Sequence, residues 1–181
     1  MVKPLLVALL ALALFSGAAS AAQIGLGAYG GINVPVLNDL SKQGTDFGIR
    51  VPIKLGDLFS VEGFYSQSSL GDVDQAFGGS SYTRDGGDLK AFGANALLTV
   101  GEGFRVFPFA GVGSYRLTRS GSEDVSDMGF QFGLGLGFLP DPAVERLSID
   151  IRGEVDMMVT DQTSQKFAKA TAGVSYLFFG D

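Results

Sequence analysis

The sequence predicts an all-β protein, an eight-stranded antiparallel up-and-down transmembrane β-barrel, and three observations predict it. Apolar residues recur at every second position through most of the chain beyond residue 22, which is the strand period and not the helical one. The alternating segments are mostly 10–13 residues long, against about 5–6 for an ordinary strand and about 9–11 for a tilted strand that crosses a bilayer. The connections alternate between tight turns and longer polar loops, which describes a meander.

Composition narrows the chemistry before any motif is read. The chain has 181 residues with 27 Gly, 15 Phe and no Cys, His or Trp. Without Cys there is no disulfide framework or thiol nucleophile, and without His the usual general base and the commonest metal ligand are missing. A net charge of -6 and a pI near 4.6 argue against a nucleic-acid partner, which needs a basic face.

The first segment reads as an address. Lys3 precedes an apolar run from Leu5 to Phe15, and small residues follow, ending Ala19-Ser20-Ala21. This is the layout of a cleavable secretory signal, 1–21, with cleavage expected after Ala21. The run is short for a transmembrane anchor, which needs about 20 residues. Residues 22–181 then form the barrel domain.

Eight strands are expected, taken in chain order. Segment 23–35 carries Gly25, Gly27 and Gly31 on one face. In 46–56, Phe47, Ile49, Val51, Ile53 and Leu55 alternate with Gly48, Arg50, Pro52 and Lys54. Segments 59–68 and 88–100 bring Glu62 and Lys90, and 104–116 contains Pro108. In 128–138, Phe130, Phe132, Leu134, Leu136 and Phe138 alternate with four glycines and Gln131. In 147–158, Leu147, Ile149 and Ile151 alternate with Ser148, Asp150 and Arg152, followed by Glu154 and Asp156. The last segment, 167–179, contributes Lys169. Gly56-Asp57-Leu58 and Gly101-Glu102-Gly103 are tight turns, whereas 36–45, 69–87, 117–127 and 159–166 are polar loops. The connection 139–146 is long for a turn. Pro52 and Pro108 lack the N–H that a ladder needs, so a bulge or a strand end is expected at each.

A soluble barrel also alternates, with its apolar face inward, and three features weigh against it. A face rich in Gly suits the narrow lumen of an eight-stranded barrel, where it leaves room for long side chains from other strands. With the aliphatic faces turned to lipid, the lumen receives Arg50, Lys54, Lys90, Arg152 and Lys169 together with Glu62, Asp150, Glu154 and Asp156. Such near-balance is what buried charges require. Phe59, Phe104, Phe138, Tyr176 and Phe178 gather at the turn ends and Tyr29, Tyr65 and Tyr115 nearer the loop ends, as aromatic girdles do.

The last strand carries the most specific motif. Thr171-Ala172-Gly173-Val174-Ser175-Tyr176-Leu177-Phe178 runs polar, x, Gly, x, x, aromatic, x, aromatic. It resembles the C-terminal assembly signal of bacterial outer-membrane barrels, carried here by Thr171, Gly173, Tyr176 and Phe178, although Phe179, Gly180 and Asp181 follow it. Segments 24–31 and 108–115 are similar to strands of the same family. The mature chain thus resembles the small eight-stranded outer-membrane barrels, which include the OmpA membrane domain, OmpX and the opacity-type proteins. The resemblance implies export to the bacterial outer membrane, contact with outer-membrane lipid and lipopolysaccharide, and insertion by the barrel-assembly machinery. Enzymes of this architecture use a catalytic His, which this chain lacks, so no enzymatic activity, cofactor or metal is expected. Segments 122–127 and 72–74 are acidic but lack a calcium-loop spacing and read as solvated loops. Two functions from different classes survive: a structural and surface-interaction barrel with a plugged polar lumen, its extracellular partner met by loops 36–45, 69–87, 117–127 and 159–166, or a narrow pore for small molecules. A soluble exported lipid-binding barrel is the remaining alternative.

Overall fold

The computed structural model describes residues 22–36, 41–77, 80–141, 146–160 and 164–179. The expected signal segment, 1–21, lies outside them. The strands are β1 Gln23–Val36, β2 Lys42–Lys54, β3 Phe59–Gly71, β4 Val73–Phe77, β5 Ser80–Arg84, β6 Asp88–Leu98, β7 Phe104–Thr118, β8 Val125–Phe138, β9 Leu147–Met158 and β10 Gln165–Phe179. Eight of them close a barrel in the order β1-β10-β9-β8-β7-β6-β3-β2, and every pairing is antiparallel. Closure is made by β1 and β10, paired from Ile24↔Phe179 to Val36↔Lys166 with one bulge between Ile24 and Gly25. The eight expected segments correspond to these eight strands, and both ends of the described chain lie at the turn end.

The remaining two strands fall in a region expected to be a polar loop. Between β3 and β6 the chain forms a separate hairpin, β4 against β5, registered from Val73↔Arg84 to Phe77↔Ser80. Its sequence, Val73-Asp74-Gln75-Ala76-Phe77 then Ser80-Ser81-Tyr82-Thr83-Arg84, is too short and polar to stand out as a strand pair.

The prolines behave differently from expectation. β2 runs through Pro52 and β7 runs through Pro108, with register against β3 unbroken from Thr45 to Lys54 and against β8 unbroken throughout. On the other side the ladder has a gap. β1 and β2 pair at Ile24↔Ile53 and again at Gly27↔Arg50, skipping Pro52, while β6 and β7 pair down to Leu97↔Phe109 and resume at Val100↔Val106, skipping Pro108. No bulge or strand end is needed, because the missing N–H faces only one neighbour and the register is the same on both sides of the gap.

The aliphatic face points outward, as the alternation implies. Leu26, Phe47, Ile49, Phe92, Phe130, Phe132, Leu134, Leu136, Ile151 and Val174 are all exposed. Phe59, Phe104, Phe138, Tyr176 and Phe178 are exposed at the turn end and Tyr65 nearer the loop end. Tyr29 and Tyr115, expected in the loop-end girdle, are buried in the lumen instead. They occupy inward positions of their strands, and strand parity outweighs the general tendency of Tyr to sit at interfaces.

The glycines of β8 make room, but largely for rings and not for charges. A side chain at Gly133 would meet the Phe109 ring, one at Gly135 the Phe107 ring and one at Gly129 the Tyr115 ring. Apart from Gln131, the inward residues of β8 from Gly129 to Gly137 are glycines because its neighbour β7 fills that part of the lumen with aromatics. Gly135→Val should therefore lower the urea midpoint of the lipid-embedded barrel by overpacking, at a cost of about 1–3 kcal/mol. Gly63→Ala, on the outward face with nothing near its Cβ position, should leave the midpoint essentially unmoved. Heat-modifiable gel migration across a urea series reads both.

Candidate functional site: the charged lumen

The lumen is built in layers from inward residues of all eight barrel strands. At the turn end a vestibule of about 100 Å³ is lined by Lys54, Ser60, Thr99, Arg105, Ser148 and Ser175, and Glu62, Asp150 and Arg152 reach it from the core. Lys54 is half-buried at this mouth and not deep in the lumen.

Next comes a lattice of two guanidinium and two carboxylate groups. Arg152 donates from Nη1 and Nη2 to the two oxygens of Glu62 at 2.6 and 2.9 Å, and from Nε to Asp150 Oδ1 at 2.8 Å. Arg50 donates from Nη1 to the same Asp150 oxygen at 2.8 Å and from Nη2 to Thr171 Oγ1 at 3.0 Å. Its Nε lies 3.9 Å from Glu62. These four charged side chains are at most 5% exposed. The guanidinium groups also lie over rings, Arg50 at 3.9 Å from the Tyr29 centroid and Arg152 at 5.0 and 5.5 Å from those of Phe107 and Phe109. Two positive and two negative groups share bidentate and bridging bonds, which is the geometry in which burial of charge is compensated.

Toward the loops the composition of the lumen changes. Lys169 Nζ lies 2.8 Å from Asp156, 3.6 Å from Asp46 and 3.7 Å from Glu154. It also donates to Ser66 Oγ at 3.3 Å. Asn33 donates to Ser68 Oγ, and Ser68 donates to Asp46. Across the barrel Tyr115 donates to Gln131 and Gln131 to Asn95 at 2.6 Å. Above this lie the apolar side chains Phe64, Leu70, Leu89, Ala91, Tyr115, Leu117, Met158 and Phe167.

The loops close over that apolar layer. Ser41 Oγ donates to Gly86 O at 2.7 Å, and Arg119 donates to both Gly86 O and Ser41 Oγ. Leu70 N bonds Gly87 O, where a positive φ of 91° and the nearby Arg119 and Thr118 leave space only for Gly. The Asp85 carboxyl accepts from the Ser120 and Gly87 amides at 2.8 and 3.0 Å. Bonds from Ser120 and Gly87 hold it below the ordinary carboxylate range. The sign follows: a depressed carboxyl stabilises the folded form at neutral pH, and that contribution is lost as pH falls through its folded value.

Of the sequence-derived lumen set, Arg50, Glu62, Asp150, Arg152, Glu154, Asp156 and Lys169 are brought together. Lys90 is not: it is exposed on the outward face, while its neighbours Leu89 and Ala91 are fully buried. Near the loop end the lumen is apolar, so an aliphatic neighbour no longer marks the lipid side. Asp46, Asn33, Ser66, Ser68, Asn95 and Gln131 line the lumen unannounced. Asp46 sits at the expected start of its strand, and parity with Arg50 is the signal that finds it. The expected balance of charge fails as a result. The buried charged residues are Arg50, Arg152 and Lys169 against Asp46, Glu62, Asp150, Glu154 and Asp156. Of the assembly-signal residues, Thr171 faces the lumen and Gly173 approaches Tyr29 and Arg50, while Tyr176 and Phe178 face outward, ring to ring at 5.4 Å.

A model of the outer membrane protein β-barrel domain matches residues 7–178. The chain belongs to the outer membrane protein β-barrel family. Its place is the bacterial outer membrane. Similar solved structures agree on the fold. Neisserial surface protein A covers 87% of this chain with 97% of its own, at 16% identity and a TM-score of 0.64. Ail of Yersinia pestis, solved with the heparin analogue sucrose octasulfate, covers 87% with 97% of its own, at 20% identity and a TM-score of 0.53. The N-terminal β-barrel domain of Pseudomonas aeruginosa OprF covers 86% with 97% of its own, at 15% identity and a TM-score of 0.55. No curated protein sequence matches the chain.

The two halves of the lumen should respond differently to neutralisation. Arg152→Met strips Glu62 of its bidentate partner and Asp150 of one of its two guanidinium donors, and should destabilise the barrel by about 3–5 kcal/mol. Asp156→Asn removes a carboxylate from a cluster that keeps Asp46 and Glu154 beside Lys169, and should cost less than about 1 kcal/mol or stabilise. Urea unfolding in lipid vesicles separates them. Arg152→Met with an unchanged midpoint would show that the lattice carries no stability.

Proposed function

We propose that the chain is a structural and surface-interaction protein of the outer membrane: a rigid barrel with a plugged lumen that displays its loops to the surroundings. One observation carries this reading. The Arg50–Glu62–Arg152–Asp150 lattice, the Lys169 cluster, the apolar layer and the Ser41–Gly86–Arg119 closure succeed one another along the lumen, all made of packed or hydrogen-bonded side chains. A conduit for apolar molecules would want an apolar path throughout, and this lumen is charged through its middle. No enzymatic role is proposed, since the chain has no His to serve as a base.

The loops are the contact surface in this reading. Among the described residues, the β4–β5 hairpin is the strand pair outside the barrel, and it carries exposed Tyr82. Taken together the loop segments are net acidic, the surplus lying in 69–87 and 117–127, so a polyanion like the heparin analogue bound to Ail fits them less well than a neutral or basic surface. Insertion by the barrel-assembly machinery is supported by the outward Tyr176 and Phe178 at the end of β10, and cleavage after Ala21 by the A-x-A pattern. Outer-membrane lipid and lipopolysaccharide are the surrounding partners.

In planar bilayers the folded protein should give no stable single-channel steps. Regular steps that change on Glu154→Gln would replace the plugged reading with the narrow pore. Deletion of residues 73–84 should leave heat-modifiable migration intact and abolish surface interaction. Recovery of the protein in the periplasmic fraction without detergent would count against a membrane role.

A further inference from the structure

We propose that the turn-end vestibule of the lumen is a binding site for a water-soluble phosphate group, free or carried as a small monoester. The site lies outside the surface role above, which fixes only that this mouth opens on the side away from the loops. It is a blind site: its floor is the Arg50–Glu62–Arg152–Asp150 lattice. An anion enters and stays without crossing the barrel.

The lumen is polarised along its axis. Its turn half holds Lys54, Arg50, Arg105 and Arg152 against Glu62 and Asp150, four cations to two carboxylates. Its loop half holds Lys169 against Asp46, Glu154 and Asp156, one cation to three carboxylates. The lattice is balanced within itself, since Arg152 takes both Glu62 oxygens and Asp150 Oδ1 accepts from Arg50 and Arg152. The surplus positive charge of the turn half therefore lies with Lys54 and Arg105, both half-buried in the vestibule wall. An ammonium has three donors and a guanidinium five, so each can hold an anion and a protein partner together. Asp57, Glu102 and Asp141, the other acids of this end among the described residues, are exposed on the connections and do not line the cavity.

The wall also supplies neutral donors. Ser60 on β3, Thr99 just past β6, Ser148 on β9 and Ser175 on β10 all line the vestibule. None of these four hydroxyls bonds another described residue. A tetrahedral oxyanion presents acceptors on every side and can use donors that converge from around a ring, whereas a planar carboxylate presents one edge. Leu97, Phe107 and Leu177 complete the wall, and walls of low dielectric focus the field of the two cations on the space between them. The cavity of about 100 Å³ has room to spare, since roughly 10–15 Å³ already holds one water. Cations at the mouth, converging hydroxyls and a closed floor together select a small phosphate.

The test is isothermal titration calorimetry of the full mature barrel, refolded in uncharged maltoside micelles in chloride buffer, with inorganic phosphate, glycerol phosphate and acetate. Wild type should bind a phosphate saturably at one site and acetate about tenfold more weakly. R105Q should weaken phosphate about tenfold, as loss of a charge-assisted bond does. K54Q and S148A, the second of which changes no charge, should each weaken it several-fold, while K90Q, the loss of a cation on the outer face, should leave it unmoved. Heat-modifiable migration confirms that each variant is folded; if R105Q is not, K54Q and S148A are read in its place. Tighter binding of glycerol phosphate would identify a monoester with its organic part on the Leu97–Phe107 wall, and tighter binding of inorganic phosphate the free ion. No saturable heat with either phosphate, equal binding of acetate, the same loss in K90Q, or wild-type affinity in the folded vestibule variants would overturn the proposal. A barrel that inserts into lipid vesicles yet binds no phosphate defeats this inference alone; one that binds phosphate in micelles yet never inserts defeats the membrane reading alone.

Discussion

Hydrocarbon offers no hydrogen-bond partner to a backbone N–H or C=O, so a sheet that crosses a membrane has to leave no edge. In this chain that requirement is met where β10 returns to β1 along thirteen residue pairs. Everything else in the structure follows from that closure. Eight strands give a lumen wide enough only for side chains, so the residues that face inward have to fill it without voids and without unpaired charge. The two prolines show how strictly the ladder is kept: each leaves a local gap toward one neighbour, and the register resumes unchanged beyond it.

The filling is divided between two sides of the barrel. β8 presents glycines, and β7 answers them with Phe107, Phe109 and Tyr115. β2, β3, β9 and β10 present charge. Within the charged side, the Arg pair meets two carboxylates in close, shared bonds, whereas Lys169 meets three carboxylates with contacts that reach 3.7 Å. The first arrangement compensates its own desolvation. The second carries surplus negative charge, and its hydrogen-bonded neighbours Asn33, Ser66 and Ser68 are what the strands supply to moderate it.

The outer face obeys a different rule. Its middle is apolar because lipid is apolar, and its charges are confined to the loop-end rim. The loops above gather on Gly86 and Asp85, so the part of the molecule that meets the outside is tied to the wall by hydrogen bonds. A closed barrel with an interior fixed by ion pairs is a stiff support, and stiffness is what a display surface asks of its base.

The sequence by itself determined the strand count, the meander, the lipid-facing side and most of the buried charges, since a period of two places Arg50, Glu62, Asp150, Arg152, Glu154, Asp156 and Lys169 on one face whatever the register. It could not decide Lys90, because near the loop end the lumen itself is apolar, and the buried Leu89 and Ala91 look like a lipid-facing pair. It also left open which charges touch. Asp150 bonds Arg152 on its own strand and Arg50 a hundred residues away in sequence, and that second contact exists only once closure has set the stagger of every strand. The β4–β5 hairpin is a third case: five residues a side are too few for periodicity to register, and only cross-strand pairing in three dimensions makes them strands.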